Sequence, residues 1–254
     1  MVVAHLGWII NATAAVDQGS LTFLAHLPYH FFLTGFYKIR PTTAVICLLV
    51  DLIAISVPFY FLRNSNVSHK MEPPENSVAN RSVITDLQVQ LLTSLLASGV
   101  YAIIVLGSFK TWAPSFFVTH FEGIKDISST YNSQFVLLCA AFLPTGFAAK
   151  TFLFTPSTAA KPDSYDDKVA AFDPETATLG ETVLHNIFGH SHGVRLLARR
   201  SLTLAAVVGI HTWLHTYLVV DGAEGFGAVG WSSIWVLAAL STGLSFGWVE
   251  NVGY

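Results

Sequence analysis

Charge is what this sequence most lacks. Of its 254 residues only 11% are Asp, Glu, Lys or Arg, whereas a soluble domain carries about a quarter. So few charges cannot clothe a water-facing surface, which argues against an ordinary soluble enzyme and directs the chain to a bilayer. Thirteen Lys and Arg against sixteen Asp and Glu leave a net charge of −3. No long basic run stands among them, so no nucleic acid or other polyanionic partner is expected. The two cysteines, Cys47 and Cys139, each sit within an apolar run and read as small packing residues rather than a disulfide or a metal pair. The opening MVVAHLGWIINATAA has neither the positive flank of a secretory signal nor the arginines of a mitochondrial presequence, so membrane entry falls to an internal span. A phosphate loop, a Gly-x-Ser-x-Gly elbow, a CxxC pair, a dinucleotide fingerprint and a long internal repeat are also missing. No family identity emerges motif by motif.

Apolar residues are what the chain has, at 52% of the sequence and a mean hydropathy of +0.54. Ser201 to Val220, SLTLAAVVGIHTWLHTYLVV, holds no formal charge. At about 1.5 Å per residue it reaches about 30 Å, the thickness of the hydrocarbon layer. Thr42–Leu62, Leu91–Phe109, Gln134–Phe154 and Gly227–Val249 read the same way, while Leu21–Tyr37 is marginal in length and carries His26, Pro28 and His30. Residues 2–16 read as a separate interfacial or partly inserted helix, cut off by Asp17-Gln18-Gly19-Ser20. The expected fold class is all-α: a polytopic transmembrane helical bundle of about five spans, plus an N-terminal apolar segment and an amphipathic loop helix. Residues 1–254 form a single integral membrane unit in this reading.

Local chemistry fills in the elements. Asp86 or Thr85 can cap the helix that follows, and its Ser94, Ser98 and Ala102 give it a small-residue face for close packing. Pro144 should bend the span 134–154, and Lys150 is near enough to that span's end to snorkel. Trp112, Phe116, Phe117 and Phe121 suggest an aromatic belt with a short interfacial helix. In the loop 155–200, Asp173-Pro174 should start a helix with Leu179, Val183, Leu184, Ile187 and Phe188 on one face, stopped by Gly189, with residues 190–193 as a turn. Ala239, Gly243 and Gly247 form a second small-residue face, available within the chain or to other membrane proteins. Loops 63–85 (flexible, with Pro73-Pro74) and 155–200 share one side and hold eight Lys and Arg against four opposite, which places them in the cytosol. The sequons Asn66-Val67-Ser68 and Asn80-Arg81-Ser82 argue the other way but carry less weight.

Polar residues inside the spans mark the candidate site. His211 and His215 are four residues apart and share a helical face, as do His26 and His30; Asp51 lies near the centre of its span. Ionisable groups at that depth must pair or serve a function, and Asp51 with His211 is the preferred pair. Imidazole with carboxylate suits zinc or iron. The favoured reading is nevertheless structural, with the histidines hydrogen-bonded to Thr212, Thr216 and carbonyls, and no cofactor expected. His185, His190 and His192 at a helix end need only the helix dipole. The leading function is non-enzymatic: a subunit, assembly factor or scaffold of the endoplasmic reticulum or another endomembrane, with a mitochondrial membrane as the alternative. Its partners would be the lipid bilayer and other membrane proteins. The alternatives are an intramembrane metal-dependent hydrolase or oxidoreductase acting on lipid through His26, His30, Asp51, His211 and His215, or a proton-coupled carrier.

Overall fold

A backbone surrounded by apolar side chains must satisfy its own hydrogen bonds, and helices do this within one segment. The computed structural model describes residues 2–62, 80–161, 163–173 and 177–252, and among these it is helical with no strand beyond an isolated bridge between Phe121 and Ala223. The Asn66 sequon, the Pro73-Pro74 pair and Pro174 lie outside the described residues. The elements are α1 (Val2–Phe36), α2 (Pro41–Leu62), α3 (Arg81–Thr85), α4 (Leu87–Lys110), α5 (Ala113–His120), α6 (Ser128–Asn132), α7 (Phe135–Ala141), α8 (Leu143–Ala149), a π-helical segment (Lys150–Phe154) and α9 (Thr155–Thr158). After these come α10 (Ser164–Ala170), α11 (Leu179–Phe188), α12 (His192–Val219) and α13 (Gly225–Val252).

Four helices, α2, α4, α12 and α13, are long and apolar enough to cross a membrane; α7 and the α8–α9 run, bent by 55°, make a fifth if counted as one span. The bend falls at Phe142, two residues before Pro144, where the sequence led us to expect it. α1 departs from expectation. Residues 2–16 and 21–37 are not separate segments but parts of one 35-residue helix, and Asp17 does not break it because the carboxylate is paired with Arg200 of α12. The α12 helix likewise starts at His192 rather than near Ser201, with the Ser191 side chain accepting from the Val194 amide. Residues 192 and 193 are therefore helix, not turn. α11 begins at Leu179, capped reciprocally by Thr178 and Glu181, and not at Asp173-Pro174; it stops at Gly189 as expected.

The core gathers on the C-terminal half of α1. Phe32 and Phe36 are fully buried, with Phe109 of α4, Phe117 of α5, Phe142 and Trp231 and Trp235 of α13. Their rings meet edge-on or tilted, as quadrupoles prefer: Phe36 and Phe117 at 5.1 Å, Phe32 and Trp231 at 4.9 Å between centroids. The Trp231 indole donates to the Pro28 carbonyl at 3.2 Å, locking α13 to α1. Beyond its end, α1 is held by the amides of Lys125 and Asp126, both donating to the Phe36 carbonyl.

The small-residue face of α13 is used inside the chain. Ala239 is fully buried, and a Cβ on Gly243 would stand 2.2 Å from Ser201 Oγ of α12. The interface between α12 and α13 is the most extensive in the fold, and Ala239 and Gly243 pack within it. Lys150 corrects a second expectation. The helical run continues past it to Thr158, so it does not reach an end; it is buried, its Nζ 3.4 Å from Gln90 Oε1 and 4.5 Å above the Phe147 ring.

The α10 segment is tied to α12 by Asp166 and Arg195, 2.8 Å apart. Burial works to raise the Asp166 carboxyl, but the Asp163 amide, the Arg195 charge and the His192 amide outweigh it and hold it below the usual carboxylate range. A folded-state value below the unfolded one contributes stability above the unfolded pKa, and that contribution disappears as pH falls through the folded one. The melting-temperature gap between wild type and Asp166→Asn in detergent should therefore be full at neutral pH. It should close as pH drops below about 4. A gap that stayed constant with pH would show that the ionised pair does not anchor α10.

Candidate functional site

Three helices supply the polar group that the sequence singled out. α1 contributes His26 and His30, one turn apart; α2, packed chiefly on α1, contributes Asp51; α12 contributes His211 and His215. His26 Nδ1 lies 2.9 Å from Asp51 Oδ2, and His30 Nε2 lies 3.8 Å from the same oxygen. His211 packs its ring against His26 at 4.1 Å between centroids and against His215 at 4.0 Å. Tyr29 borders the group, 5.4 Å from both His30 and His215. All five residues are thus brought together.

Their pairing differs from the preferred one. Asp51 pairs with His26, not with His211, because α2 lies along α1 and its carboxylate meets the α1 histidines first. His211 instead donates from Nδ1 to the Ala25 carbonyl at 3.0 Å. A carbonyl can only accept, so Nδ1 carries a proton. Thr212 and Thr216 do not hold the imidazoles: both are fully buried and their hydroxyls have no hydrogen-bond partner among the described residues. His26 and Asp51 are half-buried and His30 is buried; each offers a ligand atom within 4.8 Å of the others, and they form the one such potential metal-holding group among the described residues.

His185 and His192 serve locally. His185 stacks on Phe172 at 3.9 Å, and His192 donates to the Lys161 carbonyl at 2.7 Å. They do not converge into a second centre. Cavities lie elsewhere too: a crevice of about 520 Å³ at the α4–α5 corner is lined by Lys110, Ser115 and Tyr131, and an apolar groove of about 440 Å³ between α1 and α2 is lined by Val16, Ile53 and Val57. Neither takes in the imidazoles. The cluster is packed side chain on side chain, without an enclosed chamber for a lipid chain in these two grooves.

Arg200 is the polar residue whose role the sequence reading missed. It counted there only as a flanking positive charge. In the structure its guanidinium donates from Nε to the Phe152 carbonyl at 2.7 Å, pairs through Nη2 with Asp17, and lies 4.3 Å over the Phe152 ring. The signal was Pro156: it has no N–H, so the Phe152 carbonyl four residues earlier loses its ordinary helical donor, and the helix widens to π geometry there.

Residues 86–249 match the family model described as Bqt3_C, the bouquet formation protein 3 C-terminal domain. No curated protein matches the chain, and no solved structure does. The matched region begins at Asp86, the N-cap of α4, and ends within α13. It therefore contains His211 and His215, while His26, His30 and Asp51 lie on the two helices before it.

Proposed function

The chain belongs to the bouquet formation protein 3 C-terminal domain family, and on that premise we propose that it is a non-enzymatic, multi-pass scaffold or assembly factor of the nuclear envelope, the part of the endoplasmic-reticulum system where a bouquet of chromosome ends is gathered. The observation carrying this reading is the family match over α4 to α13, which takes in three of the four helices apolar enough to span a bilayer, α2 lying before it. Scaffolding is also the chemistry such a surface supports. The outward face of α2 is a ladder of exposed Val45, Ile46, Leu49, Val50 and Ile53, which lipid or another membrane protein must cover. Charge bias puts the α9–α11 end toward the nucleoplasm or cytosol, with Lys161, Arg195, Arg199 and Arg200 on that side.

The test is made in meiotic cells. A fluorescently tagged chain should form a nuclear rim and stay in the membrane pellet after alkaline carbonate extraction. Crosslinking should recover a stoichiometric membrane-protein partner, and loss of the chain should scatter chromosome ends in prophase. Release by carbonate, a mitochondrial signal, or purification as a monomer with no crosslinked partner would overturn the reading.

A further inference from the structure

We propose that His26, His30 and Asp51 form a zinc site that clips α2 to α1, independently of the scaffold reading above. Three observations carry it. The first is convergence: two imidazoles from successive turns of α1 face one carboxylate from α2, at 2.9 and 3.8 Å from the same oxygen, with one ligand atom from each residue inside 4.8 Å of the others. Tetrahedral zinc with bonds of about 2.0–2.1 Å sets its ligand atoms about 3.3 Å apart. The observed spacing brackets that value, so small side-chain rotations would seat the ion.

The second is donor chemistry. Two nitrogens and one carboxylate oxygen suit zinc among the common cations. Calcium and magnesium need six or more oxygens, and a single carboxylate cannot supply them. The third is placement. Asp51 lies in the interior of a helix long and apolar enough to cross a membrane, where an ionised carboxylate is costly unless a cation or donor compensates it. α2 packs chiefly on α1 and is otherwise largely exposed, so an ion shared by the two helices would fasten α2 where it has least other support. The His211 ring, fixed by its bond to the Ala25 carbonyl, packs against the His26 ring at 4.1 Å between centroids. Three protein ligands leave a fourth position, which a water would fill.

The experiment is metal analysis of the full chain, purified without chelator in lipid nanodiscs and dialysed against Zn²⁺. Wild type should hold about one zinc per chain, in keeping with a single three-ligand site; so should His120→Ala, whose imidazole pairs with Glu224 outside the cluster. His30→Ala and Asp51→Asn should each lose most of it. A His30→Cys variant guards against a folding defect: loaded with Co²⁺ it should show a thiolate-to-metal charge-transfer band that wild type lacks. Wild-type zinc at background, full zinc in the Ala and Asn variants, or no thiolate band in His30→Cys would each overturn the site.

Discussion

Gly146→Ala should destabilise the fold more than any other single-methyl addition in the four-to-eight helix contact. A Cβ at this position would stand 2.1 Å from the Ser94 carbonyl oxygen and 2.9 Å from the Ser98 amide nitrogen. Both are backbone atoms inside α4, so no side-chain rotation can relieve the overlap, and α8 must move off α4. Overpacking of a fitted core costs about 1–3 kcal/mol, and a clash with helix backbone belongs at the top of that range. Ser94 and Ser98 are buried and Ala102 is fully so, which shows how the small residues of α4 make a trough that only glycine can enter. The control is Gly107→Ala on α4, where nothing lies within 4 Å of an added Cβ. That change should be neutral or stabilising by up to about 1 kcal/mol, because alanine restricts the unfolded chain. Thermal unfolding in detergent reads both. Equal midpoints for the two variants would mean that α4 and α8 are not in backbone contact.

The trough also shows what was legible beforehand. Four-residue spacing of small side chains is visible in a sequence, and it marked both Ser94-Ser98-Ala102 and Ala239-Gly243-Gly247; which surface fills each trough is not visible. Gly146 fills the first, and Ser201 meets the second from within the chain. Long apolar runs revealed α2, α4, α12 and α13, and Asp86 and Pro144 marked a start and a break, because those signals are local. The candidate cluster was half legible for the same reason. Spacing alone puts His26 beside His30 and His211 beside His215 on their helices, but the rotation of α2 about its axis decides which imidazole meets Asp51, and that rotation is set by packing. The continuity of α1 was illegible in principle. Asp17-Gln18-Gly19-Ser20 reads as an interruption, and what allows a helix through it is a guanidinium 183 residues away.

That guanidinium carries the second large effect. Arg200→Ala would remove a donor to the Phe152 carbonyl and the counter-charge of Asp17 together, leaving a carbonyl that Pro156 cannot serve and a carboxylate facing an apolar bundle. Hydrogen bonds to charged groups contribute about 1.5–3 kcal/mol each. The two side chains keep 21% and 35% of their surface exposed, so water screens part of the loss and about 2–3 kcal/mol in total is the expected cost. Arg200→Lys should recover less than half of it. A lysine ammonium preserves the charge toward Asp17, but it lacks the rigid fork that lets Nε reach Phe152 while Nη2 reaches Asp17. Asp17→Asn should be milder than either, since an amide oxygen still accepts. The order of unfolding midpoints in detergent, wild type above Asp17→Asn above Arg200→Lys above Arg200→Ala, separates a forked clamp from a plain surface charge. For a surface charge the lysine variant would match wild type, and the continuity of α1 through residues 17–20 would then need another cause.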